Sequence, residues 1–277
     1  MRTVIWRRQR LAIRVVGSGP PVVLVHNAGA DHTLWLPVAE RLADRYTVVL
    51  PDLPGFGASD HPRLRYGLDD FADAVEAVAD AFGPRVAVGG SCVGGAAAWR
   101  HAMRRPTAVA ALALVHPATW QTVSGGQVGW LHAVLGDRPA ARAMTLATLE
   151  RAWRVPAVRM AVIRRLTVAP LSEMAQSQVD AALTRPHTLR VLAELLSELR
   201  TFAVLDGFVR GPDFPPVLLA WGARNPVVPI QGISAIARAL RPKAVVELPE
   251  SGHLCPLEAP ERLASSFRRV LDRAVWR

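Results

Sequence analysis

Residues 86 to 104 constrain the fold more than any other stretch of the chain. Val86-Ala87-Val88-Gly89-Gly90 is a short continuous apolar run, Ser91-Cys92-Val93-Gly94-Gly95 follows it, and an alanine-rich stretch reaching 104 reads as a helix. A strand that turns directly into a helix holds its central residue in strained backbone. It also brings the helix so near the strand that the positions two before and two after the centre have almost no room for a side chain. Centring the turn on Cys92 places Gly90 and Gly94 at those positions. Centring it on Ser91 keeps Gly89 but sets the β-branched Val93 where the helix must pass close. The frame therefore selects Cys92 as the nucleophile, with Ser91 beside it.

Other segments extend the pattern. The alternating segment 11–16 reads as an antiparallel edge strand, whereas Val22–His26, Thr47–Pro51 and Arg85–Gly90 are continuous apolar runs of the kind buried between helices. Helical stretches at 33–43, 68–82 and 93–104 separate them, and a further strand is expected at 109–115. This alternation predicts a mostly parallel, doubly wound α/β sheet. From 119 to about 213 there are helical patterns and no strand, with Pro139, Pro156, Pro170 and Pro186 as breaks, so about four helices are expected there. Pro215-Pro216 marks the return to strand 217–222, helix 230–240, strand 244–248 and a closing helix over 260–275. The expected organisation is a core of residues 1–118 and 214–277 with a helical cap over 119–213.

Composition narrows the function. The chain has 277 residues, 51% of them hydrophobic, which is enough for a large core. Its net charge of +10 comes almost wholly from arginine, since Lys243 is the only lysine. These arginines are scattered rather than gathered in a stripe, so nucleic acid is not an expected partner. Residues 1–10 alternate arginine with apolar residues, unlike a signal peptide, and no apolar run approaches the roughly 20 residues that cross a bilayer. A cytoplasmic protein without a membrane partner is the expectation. Cys92 and Cys255 are too few for a disulfide framework.

In this order the segments resemble the α/β-hydrolase superfamily, in the branch whose cap is inserted after the sixth strand. The matching residues are His26-Asn27-Ala28-Gly29, Asp52-Leu53-Pro54-Gly55-Phe56-Gly57-Ala58-Ser59-Asp60, the elbow at Cys92, the loop Gly222 to Pro229, and Gly252-His253 followed by Glu258 and Pro260. The resemblance implies Cys92 as nucleophile, His253 as proton carrier, and the backbone N–H groups of Val93 and Ala28 as oxyanion hole. Asn27 stands where the family has glycine. Where the acid-bearing loop has a carboxylate, this chain has Asn225, and the alternative acid position after strand six reads His116-Pro117-Ala118.

Cysteine and asparagine share one explanation. A thiol of pKa about 8.5 lies close to an imidazole of about 6.5, so a thiolate and imidazolium are able to pair without a buried carboxylate. The third residue then only orients the ring, which an asparagine carbonyl does in the Cys-His-Asn arrangement of papain-like proteases. The expected activity is acyl transfer or hydrolysis on an ester, thioester or lactone through a thioester acyl-enzyme, in the manner of cysteine-elbow hydrolases and thioesterases of polyketide and peptide assembly. The acyl substrate is a small molecule, free or bound to a carrier protein or coenzyme A, and neither cofactor nor metal is implied. Two alternatives stay open: a lyase or cyclase that uses His253 as base, and an inactive ligand-binding homologue. Monomer and homodimer also stay open.

Secondary candidates are the possible site-wall residues Asn27, Ser91 and Trp120. Trp130, Trp153, Met144, Met160 and Met174 are placed either under the cap or in the core. Arg138, Arg142, Arg151, Arg154 and Arg159 are weighed as an attraction for an anionic carrier. Asp52 and Asp60 read as turn formers, Glu258 as an anchor for the final helix, and Cys255 as a small packing residue.

Overall fold

The computed structural model describes residues 1–126, 129 and 147–276. Eight strands form one sheet in the order β1-β2-β4-β3-β5-β6-β7-β8. They are β1 (Arg2–Trp6), β2 (Gln9–Val16), β3 (Pro21–Val25), β4 (Thr47–Pro51), β5 (Val86–Ser91), β6 (Val109–Val115), β7 (Val217–Gly222) and β8 (Ala244–Leu248). The pairs β1·β2 and β2·β4 are antiparallel and all others parallel.

The continuous apolar runs follow from burial on both faces. On β3, Val23 and Val25 join one core cluster, while Val22 and Leu24 join the other. The first cluster packs under α2 (Leu68–Asp80) and α3 (Val93–Arg104); the second includes α1 (Leu36–Leu42) and the closing helix of the chain. Each fully buried aliphatic side chain contributes roughly 1.5–3 kcal/mol, and with both faces covered the central strands are almost wholly apolar, the buried Ser91 at the end of β5 being hydrogen-bonded to His116.

The edge of the sheet differs from expectation. Residues 11–16 lie in β2, which is second from the edge, and β1 is the outermost strand. β1 buries only Trp6 and is otherwise exposed or half-exposed, so it carries little apolar pattern. Its turn to β2 consists of Arg7 and Arg8, at φ 46° and 65°, the two-positive-φ geometry of a tight hairpin without the Asn-Gly that usually marks it.

Between β6 and β7 the described elements are helical: α4 (Trp120–Ser124), a segment over 147–153, α5 (Pro156–Leu166), α6 (Glu173–Leu183), α7 (Thr188–Ser197) and α8 (Ala203–Asp206). Pro156 opens α5, where its missing N–H costs nothing, and Pro170 and Pro186 fall between helices. Pro139 lies outside the described residues. After β7 come α9 (Ile233–Leu240), α10 (Cys255–Glu258) and α11 (Pro260–Leu271).

The elbow is tight in the way the glycine spacing requires. A Cβ on Gly94 would lie 2.4 Å from the carbonyl oxygens of both Val25 and His26, and one on Gly90 would lie 2.6 Å from the carbonyl carbon of Gly94. Gly94→Ala is therefore expected to lower stability by about 2–3 kcal/mol, through backbone displacement in an overpacked contact. That is a fall of roughly 5–10 °C in the thermal unfolding midpoint. Gly207→Ala, where a Cβ meets nothing within 4 Å, serves as the control and should leave the midpoint in place. Equal midpoints for the two variants would contradict the close approach.

Candidate active site

Cys92 sits at φ 50°, ψ −114°, a strained conformation for a residue with a side chain. Its own backbone holds it there. The Cys92 N–H donates to Val115 O at the end of β6 (3.1 Å), and its carbonyl accepts from Ala96 (2.9 Å) and Ala118 (3.1 Å). Val93 opens α3, so its N–H has no acceptor inside the helix; it faces the Cys92 sulfur.

His253 lies in the loop between β8 and α10. Its Nδ1 is 3.1 Å from Asn225 Oδ1, and that oxygen also accepts the N–H groups of Val227 (2.9 Å) and Val228 (3.0 Å). Two backbone donors aimed at one atom identify it as the amide oxygen. His253 Nδ1 must then donate, which leaves Nε2 as the lone-pair nitrogen. The sequence departure at 225 thus produces a defined tautomer without a charge. Asn225 Nδ2 is buried and has no hydrogen-bond partner among the described residues.

Cys92 and His253 line one cavity of about 280 Å³ with Asn27, Ala28 and Val93. Both reactive groups are only 5% exposed. Burial pushes the Cys92 thiol up to about 12, with the Val93 N–H pulling weakly the other way, and holds the His253 imidazole down to about 4. The expectation of a resting thiolate–imidazolium pair is therefore corrected. Desolvation penalises both charged forms, which favours a neutral thiol beside a neutral imidazole.

The secondary candidates divide. Asn27 lines the cavity, and its buried Oδ1 has no hydrogen-bond partner among the described residues. Ser91 is not a wall of that cavity: it points the other way, its hydroxyl 2.9 Å from His116 Nε2. Trp120 is not a wall either; its ring lies under the Arg200 guanidinium at 4.6 Å. Among the tryptophans and methionines, Trp153 lines the cavity, Met160 lines a separate cleft and Met174 is exposed. Trp130, Met144, Arg138 and Arg142 lie outside the described residues. Arg159 pairs with Asp180 at 2.6 Å, Arg154 lines an outer cleft, and Arg151 is exposed.

Four supports have roles that the sequence does not show in full. His26 accepts the Leu53 N–H at Nε2 (2.9 Å), and its Nδ1 lies 2.7 Å from Asn27 O, which ties the Asn27-Ala28 turn to the loop after β4. Asp52 holds that loop by accepting from His32 N, His32 Nδ1 and Ala58 N. His116, at φ 33°, reaches Ser91 at one nitrogen and lies 3.8 Å from Cys255 Sγ at the other, with its ring 5.0 Å from that of His253. Glu258 anchors the His253 loop rather than the final helix: it accepts Gly252 N at 3.0 Å and Val168 N at 2.7 Å. Only position in space reveals these roles, since an isolated buried histidine or glutamate carries no spacing signal. Asp31 joins His32 and Asp52 in a compact cluster, and its carboxylate is spent on Thr33 N and Oγ1.

The shifts set a pH window for stability. His253 is depressed in the folded chain, so the unfolded chain binds more protons below its ordinary value of about 6.5. The stabilisation is full above that value and is lost as pH falls towards 4. Burial also lowers His26 and His116, which steepens the acid limb. Cys92 is raised, so its contribution is full below about 9 and is lost as pH rises towards 12. Thermal unfolding followed from pH 4 to 11 should be most stable between about 6.5 and 9. Cys92→Ala should make the alkaline limb shallower without abolishing it, since burial also raises the Cys255 thiol, and an alkaline limb that persists unchanged would refute the assignment.

Comparison with known proteins places this geometry. The family model described as the alpha/beta hydrolase fold matches residues 20–260. An uncharacterised protein of Mycobacterium tuberculosis (strain H37Rv) is 29% identical over 95% of this chain and 78% of its own length. A pimeloyl-[acyl-carrier protein] methyl ester esterase of Chromobacterium violaceum is 32% identical over 88% of this chain and 91% of its own. The enol-lactonase of Burkholderia xenovorans LB400 superposes with a TM-score of 0.77 over 98% of this chain and all of the other, at 17% identity, a likeness of fold alone. The sheet order, the strained elbow and a family match over most of its length make this chain a member of the alpha/beta hydrolase fold family.

Proposed function

We propose that this hydrolase-family protein is a cysteine-dependent acyl-transfer or hydrolytic enzyme acting on an ester, thioester or lactone. The observation that carries the reading is the hydrogen bond from His253 Nδ1 to the Asn225 carbonyl oxygen, which leaves Nε2 unprotonated in a cavity that also contains the Cys92 thiol. In this reading Nε2 takes the thiol proton as Sγ attacks the carbonyl carbon, forming the C–S bond. The backbone N–H groups of Val93 and Ala28 hold the oxyanion. Collapse breaks the bond to the leaving oxygen or sulfur, which takes the proton back from His253 and departs. A second nucleophile, water or an amine, alcohol or thiol, then cleaves the thioester by the same steps in reverse.

Asparagine suffices in this reading because a thiol is intrinsically far more acidic than a hydroxyl, so even with burial separating the Cys92 thiol from the His253 imidazole the transfer asks less of the residue behind the ring. Serine would need more, since its alkoxide is far more basic and the imidazolium would have no carboxylate behind it. The sharing of the esterase name by a relative of 32% identity over most of both chains supports ester-like substrates. One observation favours a second reading: the neutral resting thiol also suits a site in which His253 alone acts as base and Cys92 is a wall, as in a lyase or cyclase.

Intact-protein mass spectrometry after incubation with acyl thioesters separates the two. The native chain should gain one acyl mass, and Cys92→Ala should gain none. Turnover by Cys92→Ala without an adduct would overturn the nucleophilic reading. His253→Ala should lose on the order of 10²–10⁴ in kcat, and Asn225→Ala much less, because orientation is partial help. Cys92→Ser should be nearly inactive alone and regain activity when combined with Asn225→Asp. Failure of that double variant to exceed Cys92→Ser would sink the account of why an amide stands at 225.

A further inference from the structure

The described lining of the reactive cavity holds no charged residue. Leu189, Leu192, Leu196 and Leu199 recur at helical spacing along α7 and just beyond it, and all four face the cavity. Leu166 and Val227 close it from other elements. Apart from Cys92 and His253, its polar side chains among the described residues reduce to Asn27 and the Trp153 indole.

Trp153 and Leu189 hold a second position. They also line an outer cleft of about 450 Å³ whose other walls include Arg154, Arg159 and Arg185. The two side chains thus separate an apolar space containing Cys92 from a polar cleft that is also walled by Glu150 and in which Arg159 pairs with Asp180 and Arg185 with Asp31. Trp153 is pinned there, its Nε1 donating to Leu183 O at 2.9 Å.

We propose that the cavity takes the uncharged aliphatic tail of an acyl substrate along the α7 leucines, and that Trp153 and Leu189 form the end wall that sets its length. This rests on the acyl-transfer reading for the chemistry but not for the binding. A carboxylate-ended tail would be stripped of water among these side chains with no partner. A methyl-ended tail gains with each buried methylene until it reaches the wall.

Two measurements test this. With N-acetylcysteamine thioesters from acetyl to tetradecanoyl, kcat/KM should rise about fourfold per methylene and then fall once the cavity is full. An ω-carboxylate analogue of the optimal length should be at least about 100-fold poorer. Leu189→Ala should move the optimum to longer tails, and Leu192→Phe to shorter ones. The second measurement uses Cys92→Ala, which has no nucleophile: binding of methyl alkyl ketones, followed by tryptophan fluorescence, should show the same length dependence. A flat series, an equal response to carboxylate-ended tails, or optima that stay fixed in both leucine variants would overturn the proposal. Length-dependent ketone binding with no acyl adduct on the native chain would support the proposal and sink the nucleophilic reading instead.

Discussion

The backbone of α3 passes the ends of β3 and β5 at a distance that leaves no room for a Cβ at Gly90 or Gly94, and the rest of the site depends on that contact. It forces the turn between strand and helix into a single residue. Cys92 therefore carries positive φ and stands at the tip with its sulfur beside the first free N–H of the helix. The same approach lets the Asn27-Ala28 turn, which follows β3, reach the same cavity. The strain at Cys92 persists because its N–H and carbonyl are bonded into β6 and α3. Local cost is offset by surrounding structure that allows no other conformation.

Burial governs the chemistry as much as position does. Cys92 and His253 are both far from water, and the partner behind the imidazole is an amide. Without a fixed negative charge, the imidazolium form is costly until the reaction itself supplies an anion. Burial therefore favours the neutral site, and in the proposed reaction the oxyanion donors would act on charge that appears only during attack. The apolar leucine face of α7 belongs to the same logic, since it keeps water away from a thiol whose ionisation is already penalised.

The elbow was legible because its requirement is steric and local: glycines two residues either side of a centre, after an apolar strand and before a helix. Asn225 was legible as a departure, and its position in a loop with a known pattern marked it. Other features were not. The first strand has one buried residue and a hairpin turn of two arginines, so neither alternation nor turn chemistry marked it. Ser91 and Trp120 sit close to the site in sequence but face His116 and Arg200, because direction from the backbone depends on packing. Tryptophans and methionines drew attention as pocket residues, whereas the described lining comes largely from leucines whose stripe on α7 has the ordinary look of a core face.

What the sequence by itself determined is the alternation of buried strands and helices, the identity of the residue at the tip of the elbow, and the absence of a carboxylate at 225. These are properties of adjacent residues and fixed spacings, where sterics and hydrophobic period act within a few positions. Tertiary structure decided which surface α7 covers, that two histidine rings, one just after β6 and one in the β8–α10 loop, lie 5.0 Å apart, and that Trp153 and Leu189 stand between an apolar and a polar space. It also decided that burial favours the neutral form of the reactive pair. Each of these depends on side chains remote in the chain excluding water from one place, and burial of that kind is a property of the assembled fold rather than of any segment.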